Sequence, residues 1–150
     1  MAVERKAPAH QLAAEWVEAW QASPPRPVYI GIDPGAAGAI GIVSGTLSLA
    51  VRIPTVSVAV TRTKKDTTGK SVRKAGSTTV FDLGAIVEIF RRLYPVKASA
   101  SVMLEKPPPS MGPGRQYAET KLAAAHAMWP LFLVAEGWSF SEVSPSSWKA

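Results

Sequence analysis

Three short apolar runs, separated by tight turns, constrain the fold of this chain more than any other feature of its sequence. The first run is Val28 to Asp33, the second is Ala39 to Ser44, and the third is Thr46 to Ile53. The residues that separate the runs are Pro34, Gly35, Gly38 and Gly45. Runs of this length and composition predict strands, and the tight turns predict an antiparallel meander that opens a mixed sheet.

The second half of the chain alternates helical and strand patterns. A helix is predicted where Leu83, Ile86, Val87, Phe90 and Leu93 recur at helical spacing, with Asp82 near its start. Ala100 to Glu105 follows as a fourth strand, and the helical connection favours its parallel pairing with the first strand. A long apolar helix, kinked at Pro130, is predicted from Arg115 to about Ala135, and a fifth strand from Trp138 to Val143. The fold class is therefore α/β, with a mixed five-stranded sheet and flanking helices.

The two ends of the chain differ from this central pattern. An amphipathic helix is predicted from about Ala7 to Ala22, and Ser23 to Pro27 forms a rigid proline-rich linker. We therefore divide the chain into an N-terminal appendage, 1–27, and one domain, 28–150. A further helix is expected after Ser144 to Ser146, so we expect the domain to be truncated at its carboxy-terminal helix.

Composition narrows the chemistry that is available to this domain. The chain has no cysteine and two histidines, so a thiolate zinc site and a histidine-rich cluster are excluded, and any metal must bind to oxygen. No apolar run reaches the roughly 20 residues of a membrane helix, so no membrane partner is predicted. The net charge of +6 suits a polyanionic partner.

Six of the seventeen cations fall in one stretch that is opposed only by Asp66. These cations are Arg62, Lys64, Lys65, Lys70, Arg73 and Lys74. Threonine, serine and glycine separate them, which predicts a flexible basic loop that contacts nucleic-acid phosphates. A solvated surface loop is the alternative. Arg115, after Pro-Gly in an exposed loop, is a further candidate phosphate contact.

Two acids stand where apolar strands end. Asp33 ends the first predicted strand and Glu105 ends the fourth. If these strands are neighbours, the two carboxylates converge, and a divalent cation such as Mg²⁺ would relieve their repulsion. Two such ions about 3.5 to 4 Å apart would activate a water and stabilise the leaving oxygen in phosphodiester hydrolysis. For either acid alone, a polar residue that simply terminates a strand is the better explanation.

The chain resembles the RuvC-type resolvases over roughly Val28 to Lys149. The motifs that carry the resemblance are Tyr29-Ile-Gly-Ile-Asp33-Pro-Gly35, Gly38-Ala-Ile-Gly-Ile-Val43, the strand ending in Glu105 with its Pro and Gly loop, and Val143-Ser-Pro-Ser-Ser-Trp148-Lys149. Within that family, the basic stretch Gly69 to Lys74 before Asp82 is most similar to the organellar, monokaryotic-chloroplast type.

The resemblance implies an RNase H-like fold, dependence on Mg²⁺ or Mn²⁺, a homodimer, and paired nicking of four-way (Holliday) DNA junctions in recombination. Asp33 and Glu105 would be the first two catalytic and metal-binding carboxylates, and Lys149 would lie near the DNA backbone. The organellar type implies a plastid nucleoid; the cytoplasm of a bacterium or phage-infected cell is the alternative.

The chain departs from that family after Glu105. The family carries two further acids on a carboxy-terminal helix, whereas Glu119, Glu136 and Glu142 lie in other elements. We therefore expect these 150 residues alone to show little or no nuclease activity.

Two other functions stay open on the sequence. Asp33-Pro-Gly35 followed by Gly38 is also compatible with the phosphate-binding turn of an actin-like sugar kinase or ATPase, although no internal repeat is visible. A basic nucleic-acid-binding module without a complete metal site is the non-enzymatic alternative.

Overall fold

The computed structural model describes residues 8–35, 37–65, 67–107 and 116–145. Its helices are α1 (Ala9–Gln21), α2 (Leu83–Arg92) and α3 (Gln116–Ala135), with a 3₁₀ helix at Tyr94–Ser99. Its strands are β1 (Val28–Ile32), β2 (Ala39–Ser44), β3 (Leu47–Arg52), β4 (Thr55–Lys65), β5 (Ser71–Phe81), β6 (Ala100–Glu105) and β7 (Phe140–Val143). No described helix is both long enough and apolar enough to cross a membrane.

Five strands form one mixed sheet in the order β3-β2-β1-β6-β7. The first three strands along the chain pair antiparallel, which confirms the predicted meander. Strand β6 pairs parallel with β1 and then with β7, so the pairing predicted for the helix-connected fourth strand is also confirmed. The chain is thus an α/β protein with a mixed five-stranded sheet and helices packed against it.

The two faces of this sheet differ in their exposure. Val28, Ile30 and Ile32 alternate along β1 and are fully buried, because they face the helices. Their neighbour Tyr29 points to the other face and is 49% exposed, and its partner Val43 on β2 is 45% exposed. We call this second side the open face of the sheet.

Helix α1 is part of the core, although the sequence analysis places it in an appendage. Its residues Ala13, Trp16 and Val17 are buried in the same apolar cluster as the sheet. The helix contacts α2 and β3. The proline-rich segment after it turns the chain back onto the sheet and does not hold the helix apart from it.

The predicted flexible basic loop is wrong, because residues 55–65 and 71–81 form a two-stranded antiparallel ribbon. We call this ribbon the arm. Both strands are rich in threonine and valine, whose branched side chains favour extended backbone. Gly69 in the turn has a φ of +83°, which glycine adopts without strain. At its base the arm is joined to the core, where the ring of Phe81 packs edge-on against Trp129 at 6.2 Å.

Helix α2 begins as its sequence predicts. The carboxylate of Asp82 accepts a hydrogen bond from the backbone N–H of Ala85 at 3.0 Å, so Asp82 caps the helix. The buried residues Ile86, Ile89 and Phe90 lie on the side that faces the sheet.

The end of α3 is fixed by contacts with the segment that precedes β6. The Tyr94 hydroxyl donates a hydrogen bond to the Glu136 carboxylate. The Lys97 ammonium donates to the Glu136 carbonyl at 2.8 Å and lies 5.5 Å from the centre of the Trp138 ring. Because these contacts satisfy a carbonyl at a helix end, they tie the end of α3 to the 3₁₀ helix that precedes β6.

This arrangement predicts a loss of stability at alkaline pH. The hydrogen bond to Glu136, together with desolvation and the Glu136 charge, raises the pKa of Tyr94 above its usual value. The stabilisation that the protonated Tyr94 hydroxyl contributes is therefore fully present below about pH 10, the ordinary pKa of tyrosine in the unfolded chain. It is lost as the pH rises through the higher folded-state pKa. In urea titrations at pH 9 to 12, roughly the range where tyrosine titrates, we expect Tyr94→Phe to lose less stability than the unmodified protein.

The matched control for that experiment is Tyr29→Phe, because Tyr29 is exposed on the sheet and its hydroxyl forms no hydrogen bond with a described residue. Its stability should follow the unmodified protein across the same pH range. Identical pH curves for Tyr94→Phe and the unmodified protein would show that the Tyr94 contact has no influence on alkaline unfolding.

Candidate metal-binding edge of the sheet

Asp33 and Glu105 stand at the carboxyl ends of two neighbouring parallel strands. The register pairs Ile32 of β1 with Leu104 of β6, so the next residue on each strand is one of the two acids. Neighbouring strands lie about 4.8 Å apart, which brings the two side chains close together. Both acids follow a buried residue, so strand alternation directs both carboxylates to the open face. The parallel strand pair on which the predicted convergence depends is present.

The turn after β1 holds Asp33 in a defined position. One oxygen of its carboxylate, Oδ1, accepts a hydrogen bond from the Gly35 N–H at 3.1 Å. The Asp33 N–H donates to the Ala39 carbonyl at 3.0 Å, so the backbone of the acid is still paired with β2. The other oxygen, Oδ2, has no hydrogen bond to a described residue and can serve as a ligand. The side chain is exposed.

Gly38 closes this turn through contacts that a larger residue cannot make. Its N–H donates to the Gly35 carbonyl at 2.8 Å, and its carbonyl accepts from the Ile53 N–H at 3.0 Å. A Cβ at this position would lie 2.0 Å from the Asp33 carbonyl oxygen. The backbone that carries the first candidate ligand therefore requires glycine here.

Glu105 is half-buried, and its strand neighbours define its surroundings. Its register partner on β7 is Val143. Because side chains alternate along a strand, the adjacent Glu142 lies on the opposite face of the sheet. There the Glu142 carboxylate lies 3.7 Å from the Lys106 ammonium and 3.3 Å from Nε2 of His126. The contact with His126 lacks hydrogen-bond geometry. Glu142 thus belongs to a separate ionic cluster and is turned away from Asp33 and Glu105.

Two glycines lie on the open face near the two acids. Gly31 on β1 pairs with Gly41 on β2 and with Met103 on β6. A Cβ added at Gly41 would meet no atom within 4 Å. Because neither glycine carries a side chain, the open face near the carboxylates leaves room for an extended ligand such as a phosphodiester.

The donor set at this edge fits a hard divalent cation. Two carboxylates on adjacent strands supply oxygen ligands, and Mg²⁺ prefers one or two of these together with water and phosphate oxygens. Among the residues that the structure describes, no group of three or more histidines and acids could hold a metal ion. Asp33 and Glu105 are therefore the two candidate ligands at this edge among the described residues.

The predicted DNA-binding residues fall into two groups. Arg62, Lys64, Lys65, Lys70, Arg73 and Lys74 lie on the arm or in its turn, and all are exposed. Arg115 and Lys149 lie outside the described residues. Lys106 directly follows Glu105, but its ammonium lies beside the Glu142 carboxylate on the opposite face of the sheet, away from the two acids.

Comparison with known proteins adds no assignment to this geometry. No protein-family model matches the chain, and a search of curated proteins found no match.

Proposed function

We propose that this chain is a divalent-metal-dependent DNA endonuclease domain with an RNase H-like fold, which acts on four-way junctions as RuvC-type resolvases do. The observation that carries the proposal is the placement of Asp33 and Glu105 at the ends of parallel neighbours β1 and β6. The mixed five-stranded sheet agrees with the fold that the sequence resemblance implies.

The residues of the chain have distinct roles in this reaction. The carboxylates of Asp33 and Glu105 hold the cation at the sheet edge, and the Gly35 N–H keeps the Asp33 side chain oriented. A cation held there supplies charge stabilisation for hydrolysis of a phosphodiester. The open face beside the acids admits the nucleic-acid backbone, and the cations of the arm supply phosphate contacts. Homodimer formation and a plastid location remain predictions from the resemblance alone.

Cleavage of a labelled four-way junction tests this proposal, with linear duplex of the same sequence as the substrate control. We would assay the 150-residue chain and any longer natural form that contains it, with Mg²⁺ and with EDTA. Junction-specific nicking that requires Mg²⁺ supports the proposal, and the longer form should be the more active. Equal cleavage of linear and junction DNA would contradict the proposed selectivity for four-way junctions.

The described ligand set also favours a second candidate, a DNA-binding module without catalysis. Only two acids converge at the edge among the described residues, and two carboxylates are few for a hydrolytic two-metal site. This candidate predicts junction binding that is indifferent to Mg²⁺, with no nicking by either form of the protein. Specific binding of ATP without affinity for DNA would contradict both candidates and would favour the alternative of an actin-like sugar kinase or ATPase.

A further inference from the structure

The arm is a ribbon that carries its own charge pattern. Its two strands pair over eleven residue positions, from Thr55 opposite Phe81 to Lys65 opposite Ser71. At about 3.3 Å per residue, a ribbon of that length extends roughly 35 Å. It forms a sheet of its own, separate from the five-stranded sheet. The outer half of the arm is therefore a projecting two-stranded element and not part of the core.

The register places one pair of like charges, Arg62 and Lys74, directly opposite each other near the tip. Like charges at directly opposite positions destabilise a strand pair. Arg62 turns its guanidinium toward the base of the arm, where it donates to the Ser77 carbonyl at 3.2 Å. Lys64, Lys65, Arg73 and Lys74 form no ion pair with any described residue. An anionic ligand would relieve this repulsion.

The cations are distributed over both faces of the ribbon. Alternation puts Lys64 and Lys74 on the face that also carries the valines, and Lys65 and Arg73 on the other face. That other face is otherwise small and hydroxylic, with Thr61, Thr63 and Ser71 near the tip. The arm is therefore a narrow ribbon with cations on both faces and small side chains between them. Such a ribbon is complementary to a groove that is bordered by phosphates on both sides.

We propose that the arm lies in the major groove of B-form duplex DNA, with its cations on the phosphates of the two strands that border the groove. The major groove is about 12 Å wide and admits a two-stranded ribbon. The A-form major groove of double-stranded RNA is too narrow and deep for this, so the partner is DNA. The inference rests on the proposed function, because the DNA that the ribbon binds is taken to be the duplex DNA that flanks the four-way junction.

The test measures DNA affinity as a function of salt, with EDTA present so that no cleavage occurs. The arm variants are Lys64→Ala with Lys74→Ala, and Lys65→Ala with Arg73→Ala. The matched control is Arg91→Ala with Arg92→Ala, which removes the same charge from the exposed end of α2. Each arm variant should reduce the slope of log K against log salt by about 1.8, since each lost phosphate contact removes roughly 0.9. The control should keep the full slope.

A competition experiment tests which groove the arm occupies. Methyl green, which occupies the major groove, should displace the unmodified protein from a duplex, whereas netropsin in the minor groove should not. Displacement by netropsin alone, or arm variants whose salt slope equals that of the α2 control, would overturn the inference. DNA binding is measured without metal, so it is independent of cleavage. A negative groove-binding result would not contradict the proposed nuclease activity, and an absence of cleavage would not contradict the groove contact.

Discussion

Gly38→Ala is expected to destabilise the fold by about 3 kcal/mol or more, at the upper end of what overpacking costs in a folded protein. The added Cβ would lie 2.0 Å from the Asp33 carbonyl oxygen and 2.8 Å from that of Gly35. Both obstacles are backbone atoms inside the turn, so no side-chain rotation relieves the clash. Urea unfolding followed by circular dichroism measures the change, and a variant that does not fold at all meets the same expectation.

Gly41→Ala is the matched control, in the strand that follows the same turn. Its Cβ would meet no atom within 4 Å, because it points to the open face. Alanine is also less costly than glycine within a strand, so this variant should be neutral or more stable by about 0.5 kcal/mol. Equal stabilities for the two alanine variants would show that the turn relaxes freely, and would contradict the close packing around Asp33.

Asp33→Asn is expected to weaken Mn²⁺ binding and Mg²⁺-dependent cleavage on the order of 100-fold or more, beyond what loss of an outer-shell contact usually costs. Asparagine keeps the oxygen that accepts the Gly35 N–H, so the turn is preserved while the charge is lost. Glu105→Gln should have an effect of similar size. Metal binding is measured by water-proton relaxation with Mn²⁺ in the 150-residue chain, and cleavage in whichever form is active.

Glu142→Gln separates ligand loss from a general loss of negative charge. Glu142 is next to the register partner of Glu105, but it pairs with Lys106 and His126 on the other face. Metal affinity and cleavage should stay within a few-fold of the unmodified protein. The Asp33→Asn variant, by contrast, should have a thermal stability without metal that equals or exceeds that of the unmodified protein, because it relieves the repulsion between neighbouring carboxylates. Equal losses of metal affinity in the Asp33 and Glu142 variants would contradict the proposed ligand pair.

The sheet could be predicted from sequence because its strands carry strong local signals. Short β-branched runs and turn glycines define β1, β2 and β3, and a helix before β6 favours parallel pairing. The arm could not be predicted in the same way. Its cations and serines conceal the threonine and valine alternation of β4 and β5, and a long exposed ribbon buries too little apolar surface to give a clear periodic pattern.

The candidate site was predictable to the extent that it follows from topology. Two acids after apolar strands must lie at the same edge of the sheet once those strands are parallel neighbours, and Asp33 and Glu105 do so. The position of Glu142 was harder to derive, because a shift of one residue in strand register reverses the face of the sheet. The sequence predicts only that Glu142 lies in a different element from the family's further acids, and the pairing of Leu104 with Glu142 shows which face of the sheet it occupies.

The arm also has a consequence for how copies of this protein behave in concentrated solution. Each of its strands has one edge without a strand partner in the described chain, and such edges recruit strands from other molecules. Lysine and arginine along an edge oppose that association by mutual repulsion. At about 1 M salt the repulsion extends only about 3 Å, compared with about 10 Å at 0.1 M. The cations that we propose bind DNA would therefore also protect the arm against aggregation, and that protection would be weakest in strong salt.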